Sequence, residues 1–469
     1  MKKKAFNFPH TIVFMLALIL LFAIMTWVIP AGEFDTEVVD GRTLYIPGTY
    51  HLVEQCGQGV WKTLQSIQAG FIKNAAIFFM IFITGGAVYM LEETHALDAI
   101  FGKFAKLPRK ATPLVVGMVM LFMSMVGSTG AFSNPIVALM PIGILLSSAL
   151  GMDKTVGFIM VYYGSYIGFN VGATNVFTVG IAQSIAELPE FSGLGVRYLF
   201  HAVNFLITFI FAYNYMKKIQ QDPTTSLNYE PGMDVSAYMG AGISGIEDTS
   251  DKKISASQLL SFGGFIVAVI AIVAGALKAN WAVAQFTAVF VALAIYLAIV
   301  NRMGPNEAVK VFIKGCSTMT GAALIIGFAG TLPTLLSNGK IMHTVIYWLS
   351  IPISKVGPAF GAVLMFWANL IINLFIPSGS GQAAAVMPIM VPIADMCGIT
   401  RQVAVQAFQF GDGISNNIVP TAGTLMGCLA VADMNYGKFA KWGLKLLLAQ
   451  IALASIAVYV LQTIGWTGM

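Results

Sequence analysis

Four short polar stretches interrupt an otherwise apolar chain, and their residue types suit the binding of a small anion. The first is Gly127-Ser-Thr-Gly-Ala-Phe-Ser-Asn-Pro135, and the second is Gly168-Phe-Asn-Val-Gly-Ala-Thr-Asn175. The same pattern returns as Ile376-Pro-Ser-Gly-Ser-Gly381 and as Gln409-Phe-Gly-Asp-Gly-Ile-Ser-Asn-Asn-Ile-Val-Pro-Thr421, with Thr424 just beyond. A helix broken inside a membrane leaves free N–H groups on one stub and free carbonyls on the other. Ser133 or Asn134 can cap a returning half-helix with Pro135 in its first turn, and Ser380 can do so for the helix from Gln382 onward. Thr174 or Asn175, and Thr421 or Thr424, can cap the second stubs of two broken spans. Helix N-termini that converge beside hydroxyl and amide groups receive a carboxylate-sized anion through dipoles rather than fixed charge. The candidate substrate-binding residues are therefore Ser128, Thr129, Ser133, Asn134, Asn170, Thr174, Asn175, Ser378, Ser380, Asn417, Thr421 and Thr424.

No lysine or arginine lies inside these breaks, and Asp412 is their one acid. An ionisable group at such depth is expensive and points to function. With Ser415, Asn416 and Asn417 it can hold Na⁺, carry a proton or pair with a substrate ammonium. The plainer alternatives are a protonated, structural Asp412, and Gly, Ser and Thr that simply let helices pack closely. Duplication of the polar clusters weighs against the second. His10, His51, His95, His201 and His343 form no metal constellation, and Cys56, Cys316, Cys397 and Cys428 show no pairwise spacing. There is no nucleophile–base pair and no nucleotide loop. The sequence therefore predicts no catalytic or metal site, no enzyme activity, and no cofactor beyond a coupling Na⁺ or H⁺.

The elements that must carry these breaks are membrane helices. The chain is 57% hydrophobic and 10% charged, against roughly 25% charged in soluble proteins. Apolar runs of about twenty residues recur along it, as a polytopic membrane protein requires. The lysine-led run at Thr11–Ile29 is long for a secretory signal and lacks a cleavage site, so it reads as a first span from a cytoplasmic N-terminus. The net charge of +5 needs no nucleic-acid partner, because loop lysines follow the positive-inside rule.

At the single offset that sets Pro141 on Pro388, eleven residues from Ala138 to Gly180 meet identical mates, among them Asn170 with Asn417 and Thr174 with Thr421. This reads as an internal repeat. Residues 1–216 form the first copy, with a surface arm at Glu92–Arg109, a re-entrant hairpin at 112–150 and a broken span at 155–182. Residues 217–257 are a cytoplasmic linker, and 258–276 are an extra span that inverts the second copy. Residues 277–469 form that copy, with an outer arm at Ser337–Lys355, a hairpin at 358–397 and a broken span at 403–429. The hairpin limbs are short against a hydrocarbon core of about 30 Å. The fold expected is an all-α polytopic membrane protein with about nine spans and two opposed re-entrant hairpins. Taking each hairpin as two crossings gives eleven spans and keeps most loop signs.

At GSTGAFSNP, IPSGSGQAAAVMPI and GDGISNNIVPTAGTLMG the chain resembles the C4-dicarboxylate anaerobic carrier-like family (DcuC/YfcC-like, nearest the YfcC branch) of the ion transporter superfamily, over essentially its whole length. The resemblance implies a homodimer in the bacterial inner membrane. A scaffold would hold a moving transport domain that contains both hairpins, with elevator-type alternating access. Its members and relatives are linked to dicarboxylates, to arginine–ornithine exchange and to other amino acids. The reading is a secondary transporter of a small carboxylate-bearing solute, with an exchanger of basic amino acids as the alternative. A channel or an intramembrane enzyme is the rival class.

Overall fold

The computed structural model describes residues 11–39, 42–46, 48–96, 111–130, 136–235, 239, 254–279, 281 and 283–468. The surface arm expected at Glu92–Arg109, the tip of the first hairpin and the second half of the linker fall mostly outside them. Among the described residues, six helices are long and apolar enough to cross a membrane. They are α1 (Thr11–Val28), α3 (Ala75–Glu93), α9 (Leu194–Gln221), α11 (Val283–Val300), α13 (Thr320–Asn338) and α19 (Tyr436–Thr463).

The stretch after α1 is more ordered than an open loop. Strands β1 (Gly32–Glu33) and β4 (His51–Leu52) pair antiparallel, as do β2 (Thr36–Val39) and β3 (Arg42–Tyr45). Gln55 closes its base by donating to the carbonyls of Thr26 (2.6 Å) and Ile29 (2.9 Å). The stretch also leans on the arm that succeeds α13: Lys340 pairs with Glu33 at 3.1 Å, and the Thr344 hydroxyl donates to the Pro30 carbonyl at 2.8 Å.

Two amphipathic helices precede α3 and α13, where the sequence alone suggests loop running straight into a span. These are α2 (Val60–Lys73), ahead of α3, and α12 (Pro305–Thr318), ahead of α13. Each packs on the long helix of the other half, α2 on α13 and α12 on α3. Glycines make both contacts possible. A Cβ on Gly330 would lie 2.5 Å from the Gly70 carbonyl oxygen, and one on Gly315 would lie 2.6 Å from that of Gly85. Small residues of this kind let membrane helices approach without a hydrophobic driving force. Helices α1 and α11 extend the exchange by packing on α13 and α3 respectively.

Shorter apolar helices carry the polar turns. Helix α4 (Thr112–Gly127) precedes the first turn and α5 (Ile136–Ala149) succeeds it. At about 1.5 Å per residue, α4 is about 24 Å long. The chain then runs through α6 (Lys154–Phe158), a π-helical segment at Ile159–Tyr163 and α7 (Gly164–Val171). After a break at Gly172 it resumes as a second π-helical segment, Val176–Gly180, and α8 (Ile181–Ile185). Beyond α9, helix α10 (Ala256–Ala279) packs on α11. The arm after α13 is helix α14 (Met342–Ser350). Helix α15 (Pro358–Ile372) then leads to the second polar turn, and α16 (Gly379–Met396) leaves it. The second interrupted segment is α17 (Arg401–Ser415), a break, and α18 (Gly423–Val431).

The turns into the two interrupted segments are built alike. Gly151 and Gly398 both take left-handed φ, +70° and +69°, where a side chain would be strained. Asp153 and Thr400 then cap α6 and α17, accepting from the N–H of Val156 (3.0 Å) and Val403 (3.3 Å). Asp153 is fully buried and also accepts from the hydroxyls of Ser226 and Tyr215. Asn228 joins the two segments: its side-chain oxygen accepts from the Thr155 hydroxyl (2.8 Å) and its amide donates to the Ala432 carbonyl (3.0 Å). This part of the linker is therefore bonded to both halves rather than loosely tethered.

Candidate functional site

Helices α7 and α17 cross at their inner ends, where glycine removes the barrier to backbone contact. A Cβ on Gly413 would lie 2.5 Å from Asn170 Cα. Each polar turn abuts one of the breaks. The Ser128 carbonyl accepts from the Thr174 N–H (3.2 Å) and hydroxyl (3.4 Å), and a Cβ on Gly130 would collide with Asn175 Oδ1. On the other side, a Cβ on Gly379 would collide with Thr178 Cγ2 and lie 3.0 Å from Asp412 Oδ2. The two turns and two breaks therefore meet at one place, and most of the candidate residues gather there. Ser133 and Asn134 lie outside the described residues.

Hydrogen bonds at the stubs correct part of the capping scheme. Asn175 Oδ1 accepts from the N–H of Phe177 (3.0 Å) and Thr178 (3.2 Å), so it caps the second stub of its break, and Thr174 does not. The hydroxyls of Ser128 and Thr129 satisfy carbonyls of the last turn of α4, Met125 and Val126, at 2.7 Å each. At α16 the cap is Ser378, whose hydroxyl oxygen accepts from the Gly381 N–H at 3.4 Å. Ser380 lies one residue inside the helix and is exposed. Neither Thr421 nor Thr424 caps α18: Ala422 holds that position and makes no side-chain bond.

The meeting place is poor in partners for its own polar atoms. Buried and without a bonding partner are both side-chain atoms of Asn170, Asn175 Nδ2, Thr178 Oγ1, Asn417 Oδ1, Thr421 Oγ1 and both carboxyl oxygens of Asp412. Buried polar groups are normally bonded, because leaving one bare costs about 1–3 kcal/mol. Such a concentration leaves these atoms free to bond water or a solute. A small pocket of about 10 Å³, with room for little more than one water molecule, borders Asn170, Phe200, Asn204, Phe410 and Gln450.

The companions expected for Asp412 are engaged elsewhere. Ser415 donates to the Gly411 carbonyl (2.6 Å), Asn416 Nδ2 donates to the Asp412 backbone carbonyl (2.8 Å), and Asn417 Nδ2 donates to Gln450 (3.0 Å). Asn373 of the second turn ties this group together. Its Nδ2 donates to the Asp412 carbonyl (3.1 Å), Ser415 Oγ (2.7 Å) and Asn416 Oδ1 (3.0 Å). The carboxyl group itself faces Gly379. Asn373 and Thr178 escape a reading of the sequence because each stands alone among apolar neighbours, whereas Gln382 and Gln409 edge the polar stretches without standing out by residue type. The readable signal is spacing: Asn369 and Asn373 share a face of α15, and Gln402, Gln406 and Gln409 share a face of α17. Among the described residues no cluster of His, Cys, Asp and Glu could hold a metal ion.

Residues 8–463 match the C4-dicarboxylate anaerobic carrier family, DcuC. An uncharacterized protein of Haemophilus influenzae is 26% identical over 98% of this chain and 98% of its own. The Escherichia coli protein named "Putative basic amino acid antiporter YfcC" is 26% identical over 98% of this chain and 97% of its own. Two solved structures align along most of the chain. The Alcanivorax borkumensis YdaH transporter has a TM-score of 0.41 at 13% identity, covering 98% of this chain and all of that one. Neisseria gonorrhoeae MtrF, described among antimetabolite efflux pumps, has a TM-score of 0.40 at 17% identity, covering 97% of this chain and 96% of that one. The family match spans nearly the whole chain, and among the described residues six helices are long and apolar enough to cross a membrane, so the chain belongs to the C4-dicarboxylate anaerobic carrier family and is a multi-pass membrane transporter, not an enzyme.

Proposed function

We propose that the protein is a secondary active transporter of small carboxylate-bearing solutes in the bacterial inner membrane, coupled to Na⁺ or H⁺. The observation that carries this reading is the meeting of two polar turns and two helix breaks around polar atoms that lack partners, with Asp412 among them. Dipoles of broken helices supply the carboxylate end, and one acid supplies a place for a coupling cation. In this reading the chain is two inverted repeats with a cytoplasmic N-terminus, and α4–α5 and α15–α16 are re-entrant hairpins that open to opposite faces. The reciprocal packing of α2 on α13 and α12 on α3 supports the repeat, as do the matched turns at Gly151 and Gly398. A homodimer whose hairpin-bearing domain moves against a scaffold completes the proposal.

Exchange of basic amino acids is the second reading. It is favoured by the carboxyl group of Asp412, which has no partner to neutralise it and suits a substrate ammonium. The Escherichia coli relative's name points the same way.

Counterflow separates these readings from a channel. Proteoliposomes loaded in turn with succinate, fumarate, L-arginine or L-ornithine, and diluted into a trace of the same labelled solute, should accumulate label transiently for at least one of the four. An ionic current with no counterflow of any of them would make the protein a channel.

A further inference from the structure

We propose that Arg197 and Gln406 form a second carboxylate-binding site, in the seam between α9 and α17 and about two helical turns along α17 from Asp412. The proposal rests on the reading as a carboxylate transporter and adds a fixed cation to its path.

Arg197 sits in the first turn of α9 and is fully buried. Its Nε donates to Gln406 Oε1 and its Nη1 to the Ser192 carbonyl, both at 2.8 Å, while Nη2 finds no acceptor. No carboxylate stands within ion-pair distance of it among the described residues. Gln406, also fully buried, spends its oxygen on Arg197 and leaves its own Nε2 without an acceptor. His201, one turn further along α9, is buried with both ring nitrogens unpartnered.

A guanidinium keeps its proton at any working pH, so it cannot escape burial by becoming neutral. An unpaired charge at this depth is costly unless something answers it. The free atoms of Arg197 and Gln406, Nη2 and Nε2, are both donors, while a neutral His201 offers one donor and one acceptor, so the group that answers the cation is an acceptor with negative charge. A guanidinium fork with an amide beside it fits the two oxygens of one carboxylate.

The position of the site links it to the helix breaks. Gln402, Gln406, Gln409 and Gly413 succeed one another at four, three and four residues, which places them on one face of α17. That face meets the first half throughout: Gln402 donates to the Ser192 carbonyl, Gln406 accepts from Arg197, Gln409 donates to the Phe169 carbonyl, and Gly413 rests on Asn170. Six residues separate Gln406 from Asp412, or about 9 Å along the axis. The seam therefore runs as a polar ladder from the buried cation to the unpartnered acid.

The test uses purified full-length protein in detergent, with its thermal midpoint monitored against sodium formate, sodium succinate and L-ornithine at constant ionic strength. Formamide, succinamide, L-ornithinamide and sodium chloride serve as controls. At least one carboxylate should raise the midpoint saturably while its amide and chloride do not. Arg197→Gln should weaken the apparent affinity by about tenfold or more, roughly what one charged hydrogen-bonded partner contributes. Arg197→Lys keeps the charge, loses the fork, and should fall between. A wild-type protein that does not distinguish carboxylates from chloride would overturn the site, as would Arg197→Gln with undiminished affinity. Should Arg197→Gln fail to fold, unchanged affinity in Arg197→Lys overturns the site and a weakened one supports it. Loss of counterflow with this shift intact would count against transport alone, and the reverse would count against Arg197 alone.

Discussion

Replacing Asp412 with Asn is expected to abolish gradient-driven accumulation in proteoliposomes while leaving the protein folded. The substitution keeps the size of the side chain and removes its charge. Neither carboxyl oxygen has a protein partner, so no internal bond is lost. The group sits between Gly411 and Gly413, and the backbone of Gly379 lies against it, so an amide of equal volume is accommodated. If Asp412 holds the coupling ion, exchange of internal for external solute should survive when accumulation is lost. If it meets a substrate ammonium, binding should weaken by about 2–5 kcal/mol, the cost of leaving a buried charge unpaired, and exchange should fail with it. Flux measured with and without an imposed Na⁺ or H⁺ gradient separates the two. Wild-type accumulation in Asp412→Asn would remove this residue from the site.

Gly413→Ala should damage folding and transport together. Its new methyl group would fall 2.5 Å from the Cα of Asn170 and 3.0 Å from its carbonyl oxygen. Both are backbone atoms of a buried helix and cannot rotate aside. Forcing a methyl into such a contact costs about 1–3 kcal/mol or more, and here it also parts the two breaks. The thermal midpoint should drop by several degrees and counterflow should fall steeply. Gly321→Ala is the control. It lies in α13 with nothing within 4 Å of the added Cβ, so it should be neutral or slightly stabilising as helix entropy improves. Equal behaviour of the two variants would show that the crossing tolerates separation.

The breaks themselves are legible in the sequence because a membrane does not supply Asn, Thr and Gly clusters by default. A cap at Thr174 or Asn175 is readable for the same reason, but the choice of Asn175 is made only by its bonds to the N–H of Phe177 and Thr178. Ser378 is harder to tell from Ser380, since an N-cap is chosen by backbone conformation. Ser378 has the extended φ and ψ of a cap, whereas Ser380 is already helical. Helices α2 and α12 are missed by a search for apolar spans because their polar faces interrupt the apolar run, although their amphipathic period is itself a helix signal. The π-helical segments at Ile159–Tyr163 and Val176–Gly180 leave no mark in composition, since they come from how the helix is packed. The role of Arg197 is hidden for a physical reason as well. A basic residue at the start of a span usually snorkels to the interface, and only the fold reveals that this one is fully buried against Gln406.

In the proposed mechanism the turns and breaks form the solute's own binding place, reached from alternate sides. Ser380 is exposed at the second turn, within two residues of the Gly379 contact with Asp412. A Ser380→Cys variant, with Cys56, Cys316, Cys397 and Cys428 replaced, should react with a membrane-impermeant thiol reagent added from outside. A solute shown to undergo counterflow should slow that reaction saturably. Labelling that is indifferent to a transported solute, or that occurs only from the cytoplasmic side, would contradict the account.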